Sequence, residues 1–274
     1  QASLKQLKDC ETVVFVGGIS PQLEGEEMPI EISGFKGGDR TNIELPKVQR
    51  NFLKALKEAG KKVVFVNCSG SAIALTPETQ SCDAILQAWY PGQEGGEAVA
   101  RVLFGEYNPA GKLPVTFYKN SEQLPDFKDY SMKGRTYRYM NDALFPFGYG
   151  LSYTSFRIGD AQLSATSFGK DGKITLTIPV NNVGKKDGTE TIQVYVKDPT
   201  DADGPLKSLK AYQRVAVKAG QTVNAIITLD SKSFELFDAT TNTVRTKGGK
   251  YEVYYGNSSA DKDLKKVNVK LKIN

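Results

Sequence analysis

Histidine is absent from all 274 residues. That excludes serine–histidine–aspartate and cysteine–histidine catalysis, and most zinc sites with them. Cysteine is scarce: Cys10, Cys68 and Cys82 show no CxxC spacing, so nothing frames a metal cluster. Cys68 ends one apolar run and Cys82 precedes the next. In a parallel sheet those positions lie at opposite edges, so the two are expected as small buried residues rather than a disulfide. No apolar run approaches the length of a membrane span, and no membrane partner is expected. An initiator methionine is lacking as well. A chain that starts at Gln1 reads as a processed product or a fragment, and a periplasmic or secreted location, with the signal already removed, is the expectation. No residue pattern requires a cofactor.

The net charge of +5 invites a nucleic-acid reading. From Phe156 onward there are 19 basic and 13 acidic residues, so the whole excess lies in the C-terminal half. There it is scattered at strand spacing without interleaved aromatics, as solubilising lysine on sheet surfaces is, and no nucleic-acid partner is expected.

The length suits two domains. The first is organised around Val13–Arg40, VVFVGGISPQLEGEEMPIEISGFKGGDR. A short apolar run, Val13–Val16, reads as a buried strand and ends in a glycine pair. A loop follows with Glu24, Glu26 and Glu27 within four positions, then Asp39 and Arg40. Strands that end in a glycine turn and display carboxylates build the sites of open α/β sheets. Crowded carboxylates suit general acid work, because like charges disfavour joint ionisation; the plainer reading is a solvated acidic loop. Pro46–Gly60 predicts an amphipathic helix with Val48, Phe52, Leu53 and Leu56 on one face. Val63–Asn67 is a second apolar strand, Ala72–Glu78 is ambiguous, and Asp83–Trp89 reads as a third strand. PGQEGGE then leads into a helix from Glu97 to Phe104. This succession predicts an α/β domain with a mostly parallel sheet over residues 1–125.

Residues 126–155 are rich in aromatics, glycine and arginine, too aromatic for a flexible linker, and are expected as an ordered connector. Tyr137, Tyr139, Phe145, Phe147 and Tyr149 suit packing anchors better than a carbohydrate-facing surface. Over 156–274 the apolar period becomes two, through Ile174, Leu176 and Ile178, then Ile192, Val194 and Val196, and on to Val267, Val269 and Leu271. About seven short strands with polar outer faces predict an immunoglobulin-like or fibronectin type III sandwich. It carries no paired carboxyls on a common loop.

The order of these motifs resembles the C-terminal half of a family 3 glycoside hydrolase, the β-glucosidase and β-xylosidase family. The resemblance is carried by VVFVGG, the acidic loop ending in GGDR, ELPKVQRNFLKAL, VVFVNCSGS, the block AILQAWYPGQEGGEAVARVLFGEYNPAGKLPVTFY, GRTYRY and LFPFGYGLSYT, and it covers essentially the whole chain. It implies retaining hydrolysis at the non-reducing end of β-linked sugars by two carboxyls about 5 Å apart, one nucleophile and one acid/base. The nucleophile of such enzymes is an Asp on a preceding (β/α)8 barrel, which this chain lacks, so an N-terminal barrel segment is the implied partner. The chain alone is expected to be inactive, with its sheet incomplete.

The family's acid/base Glu often lies three residues before the Asp-Arg pair. Lys36 occupies that place here and cannot serve, as if MPIEISGFKG were inserted in the loop. LEGEE then matches the acidic part of the motif. Glu26 is the best carry-over for the acid/base, with Glu24 and Glu27 as alternatives, and Asp39 and Arg40 are expected to brace the loop by a charge-assisted pair. The implied substrate is an oligosaccharide or aryl glycoside. GRTYRY favours a β-xylosidase; a β-glucosidase is the alternative, and a non-catalytic carbohydrate-binding or structural module is the reading from another class.

Overall fold

The computed structural model describes residues 2–24, 30, 32–37, 39–238 and 240–273. The chain forms two compact units. The first comprises Gln1–Glu106, Thr116–Tyr130 and Asp142–Phe145, and the second Tyr107–Val115, Ser131–Asn141 and Pro146–Asn274. The aromatic stretch, expected as one connector, is thus shared between the units in alternating pieces.

In the first unit β1 (Thr12–Ile19), β2 (Lys62–Ser69) and β3 (Ala84–Gln87) form a parallel sheet in the order β1-β2-β3. The central strand is buried through Val63, Phe65 and Val66, as its continuous apolar run requires. The third strand is shorter than its predicted span. It stops at Gln87, and Trp89 turns into the left-handed region at φ 59, which no strand accommodates. The ambiguous Ala72–Glu78 becomes, in its second half, α2 (Thr76–Ser81), which follows α1 (Lys47–Glu58) and precedes α3 (Gly95–Leu103).

Helix α1 packs on the sheet through Leu53 and Leu56, both fully buried, and Phe52 meets Phe15 at 5.7 Å between ring centres. Val48, expected on this face, is 76% exposed. Gln49 takes the inward place in the first turn because it has a polar partner: its amide donates to the Gly18 carbonyl at 2.7 Å, and its side-chain oxygen accepts from the Gly18 N–H at 2.8 Å. Cys82 is buried and Cys68 half-buried, while Cys10 is exposed, and all three are free thiols. Burial pushes the Cys82 thiol up to about 12.

The second unit is a two-sheet β-sandwich. Strands β4 (Lys173–Asn182), β5 (Gly188–Lys197), β6 (Ser208–Val217), β7 (Thr222–Asp230), β8 (Gly249–Gly256) and β9 (Leu264–Lys272) provide its body. One sheet runs β6-β5-β8-β9 with Ser167–Gly169 added parallel to β9; the other joins β7 and β4 with Phe156–Ile158. Antiparallel pairs such as Ile227–Leu176 and Leu229–Ile174 line the inner face of the second sheet, and Val194, Val253 and Val269 line that of the first.

Strand β5 departs from the expected polar outer face, since Gln193 and Tyr195 are buried there too. The cover comes from the aromatic stretch. Tyr137 stacks on Phe147 at 4.5 Å and meets Tyr195 edge-on at 5.7 Å, and the Gln193 amide donates to the Gly148 carbonyl at 3.0 Å. Residues 107–115 join this unit through backbone bonds between Leu113 and Gly148–Tyr149 and through the buried Lys112–Glu190 pair at 2.8 Å.

Candidate functional site

The candidate site lies at the carboxyl ends of β1 and β2, where open α/β sheets place ligands. Its floor depends on two glycines. A Cβ on Gly17 would sit 2.5 Å from the Gln49 side-chain oxygen. Gly18 has φ +127, and a Cβ there would sit 2.0 Å from the Cys68 carbonyl oxygen, so no other residue fits.

Beyond Ile19 the chain makes a single helical turn, Pro21–Glu24, that delivers Glu24 to the site. Both of its carboxylate oxygens are occupied. Oε1 lies 3.7 Å from Arg40 Nη1 and accepts from the Ser71 hydroxyl at 3.4 Å; Oε2 lies 3.0 Å from the Tyr90 hydroxyl. Tyr90 is also 2.9 Å from the Ile19 carbonyl, so one phenolic proton is shared between two acceptors. Arg40 completes the cluster by donating to Ser71 Oγ at 2.8 Å and to the Asn42 carbonyl at 3.3 Å. Its side chain is only 11% exposed. Burial pulls the guanidinium below its ordinary value, and Glu24 and Asp39 pull it back. Tyr90 is pushed up, first by burial and then by the Glu24 carboxylate.

The expected bracing group is therefore a larger one. Asp39 is exposed and accepts from the Arg40 backbone N–H at 2.7 Å, while the Arg40 side chain reaches Glu24. Arg40 itself sits on a short antiparallel ladder, paired with the buried Phe35. The ion pair thus ties the start of the acidic segment to the strand pair at its end. Glu26 and Glu27 fall between these anchors and lie outside the described residues. Glu24, held on both oxygens, is arranged as an anchor.

Below this group, Asn67 donates to Gln87 at 2.6 Å and to Ser69 Oγ at 3.2 Å, linking the ends of β2 and β3. Arg40 Nη2 and Asn67 Oδ1 are buried with no hydrogen-bond partner among the described residues. Leaving such atoms unpaired costs about 1–3 kcal/mol each, so they mark places where a further group completes the network. Among the described residues, no cluster of three or more Cys, Asp or Glu could hold a metal ion. Ser71, Tyr90, Gln49 and Asn67 escape a reading of the sequence. Their types are ordinary for turns and helix faces, and the signal that could have pointed to Ser71 and Tyr90 is their place just after β2 and β3.

Comparison with known proteins agrees with this architecture. Residues 1–153 match the glycosyl hydrolase family 3 C-terminal domain, and residues 190–259 match a fibronectin type III-like domain. A xylan 1,4-β-xylosidase of Xylanibacter ruminicola is 65% identical over 99% of this chain and 31% of its own length. A periplasmic β-glucosidase of Salmonella typhimurium is 37% identical over 94% of this chain and 34% of its own. The solved β-glucosidase of Erythrobacter marinus superimposes with a TM-score of 0.83 at 30% identity, over 99% of this chain and 36% of that one. The chain spans about a third of the length of these relatives. With a family match over more than half its residues and a sandwich of the matching type behind it, the chain belongs to glycosyl hydrolase family 3.

Proposed function

We propose that this chain supplies the acid/base side of a retaining, exo-acting β-glycosidase, with Glu26 as the acid/base. The observation that carries the reading is the Glu24–Arg40–Ser71–Tyr90 cluster, which anchors the acidic segment beside the strand ends. A carboxyl two residues from so firm an anchor can be held in reach of a glycosidic oxygen without being tied up itself. It gives its proton to the departing oxygen as the bond to the nucleophile forms, then takes a proton from water as the glycosyl intermediate is hydrolysed. The nucleophile belongs to a barrel segment outside this chain, and the chain by itself does not turn over substrate. Terminal β-linked xylose is the favoured substrate unit, on the strength of the name carried by the relative 65% identical. Glucose is the second reading, supported by the β-glucosidases among the relatives. A periplasmic or secreted location fits a polysaccharide substrate and the periplasmic relative.

In the complete enzyme, Glu26→Gln is expected to abolish turnover of substrates with poor leaving groups and to spare formation of the intermediate from activated aryl glycosides. Added azide restores part of the lost rate by replacing the missing base. Wild-type behaviour of Glu26→Gln, with loss in Glu27→Gln or Glu24→Gln, moves the role to that residue. Paired assays on aryl xyloside and aryl glucoside decide the sugar. Retention of the chain on a xylan column, with no hydrolysis even after a barrel segment is supplied, is the result a non-catalytic module gives.

A further inference from the structure

The second unit contains an open cleft of about 420 Å³ that the hydrolytic reading leaves unused. It lies between the Arg138–Tyr139 turn, the Asp198–Pro205 loop and the strand Glu235–Asp238. We propose that this cleft is a non-catalytic subsite for a neutral β-linked oligosaccharide. The ligand class rests on the glycosidase reading above; the cleft itself stands on its own geometry.

The volume falls within the roughly 300–1,000 Å³ of small-molecule sites. One wall presents the Phe237 ring, 56% exposed on a strand whose neighbouring Leu236 is half-buried. Tyr139, half-buried, also lines the cleft, with the Arg138 guanidinium 5.7 Å above its ring. An exposed ring such as Phe237 offers a flat apolar face, which suits the C–H face of a pyranose ring. Between them, two polar pairs are already closed: Asp238 holds Arg245, and Asp198 accepts from the Thr200 hydroxyl at 2.7 Å. With Asp238 paired, Arg138 and Lys247 face Asp198, Asp201 and Asp203, a mixed set of donors and acceptors with one carboxylate in excess; the three aspartates on one loop correct the expectation that this unit carries no paired carboxyls. Sugar hydroxyls both donate and accept and use such a set in full, whereas a polyanion meets three unpaired carboxylates.

Arg138 supplies the sharpest sign. Its Nε is buried and has no hydrogen-bond partner among the described residues. It is presented by a one-turn helix whose first residue, Thr136, sits at φ 54. A β-branched residue in the left-handed region is strained, and such strain persists where the surroundings enforce it. The turn is held in place by the Leu206 N–H donating to the Arg138 carbonyl at 2.7 Å, so the strained turn and the Asp198–Pro205 wall are one assembly. The Nε itself is shut off from the cleft, so a sugar hydroxyl meets the rest of the Arg138 side chain, which lines the wall.

The test is isothermal titration of the full 274-residue chain with xylohexaose and with laminarihexaose, and affinity electrophoresis in soluble xylan. Saturable binding of xylohexaose is expected, weakened at least about tenfold, the equivalent of 1.4 kcal/mol, by Phe237→Ala and by Asp203→Asn. Both side chains are exposed, so neither change removes core packing; unchanged melting temperatures verify this. Arg138→Met is expected to act the same way. Glu24→Gln, on the other unit, leaves the affinity unchanged, which separates this cleft from the acid/base reading. Absence of binding to either oligosaccharide at millimolar concentration overturns the proposal. So does binding that survives all three cleft substitutions, or binding confined to an acidic polymer such as polygalacturonate. A failed Glu26 experiment leaves these readouts unaffected.

Discussion

Gly18 carries more of the site than its size suggests. With φ +127 and the Cys68 carbonyl 2.0 Å from where a Cβ would be, Gly18→Ala forces strain and a backbone shift together. A loss of about 3 kcal/mol or more is expected from urea unfolding, with the melting of the first unit lowered. Glu78 is the other exposed test of single-residue physics. It is 1% exposed, its Oε1 lies 3.1 Å from Arg50 Nε, and its Oε2 has no partner among the described residues. Burial raises its carboxyl above the ordinary value, against the pull of Arg50. A raised acid binds its proton more tightly in the folded chain than in the unfolded one. Its contribution is therefore fully present below the unfolded value, about 4.3, and is lost as pH rises toward the folded value. Glu78→Gln removes that dependence, so the melting temperature of the variant relative to wild type is expected to rise between about pH 4 and 7. A difference that stays flat across this range refutes the assignment.

At the scale of elements, the sandwich is stitched by surface pairs that matter little to chemistry. Lys265 meets Asp160 at 2.7 Å, and Lys266 meets Glu252 at 2.6 Å on neighbouring strands β8 and β9. Exposed pairs of this type contribute about 0.2–1 kcal/mol each. Reversing both lysines to glutamate is expected to leave kcat and KM of the complete enzyme within about twofold, with only a small drop in melting temperature. A selective loss of polymer cleavage, with aryl glycosides untouched, places substrate contacts on that face. Strand β1 is the element most exposed to risk. Among the described residues it is one of the two edges of its sheet, and Val14 and Val16 on it are 49% and 64% exposed. Native edges are normally charged, bulged or covered.

That edge gives the prediction for the whole molecule. Light scattering of the purified chain is expected to report self-association, and addition of a barrel segment is expected to suppress it while restoring hydrolysis. A well-behaved monomer that cleaves aryl xyloside or aryl glucoside unaided overturns the partner reading, because the nucleophile then lies within these residues.

Much of this was open to reading from the amino-acid order. Continuous apolar runs such as VVFV read as strand or buried helix, and their length settles the strand locally, but not its burial: Val63, Phe65 and Val66 are buried, whereas Val14 and Val16 of the run expected to be buried at Val13–Val16 are 49% and 64% exposed. The alternation through Ile174–Ile178 and Ile192–Val196 announces a sandwich because period two is a property of neighbouring residues. The motif blocks from Val13 to Thr154 carry the family in the same local way. Sequence order says nothing, however, about which distant residues converge. The strand expected over Asp83–Trp89 ends two residues early, at Gln87, because the left-handed turn at Trp89 is imposed by its surroundings, its ring lying edge-on to Phe117 at 6.2 Å. Gln49 replaces Val48 as the inward residue of its helix only because Gly18, 31 residues earlier, offers two backbone bonds. Glu24 reads in the sequence as an alternative, with Glu27, to Glu26. Arg40, Ser71 and Tyr90 set it apart; Ser71 and Tyr90 follow two strands of the parallel sheet, and Arg40 comes from the short antiparallel ladder. Periodicity and composition determine the elements, since they are short-range. The clamp on the acidic segment is decided by tertiary structure, since its bonds from Ser71 and Tyr90 to Glu24 and from Arg40 to Ser71 span 47, 66 and 31 residues.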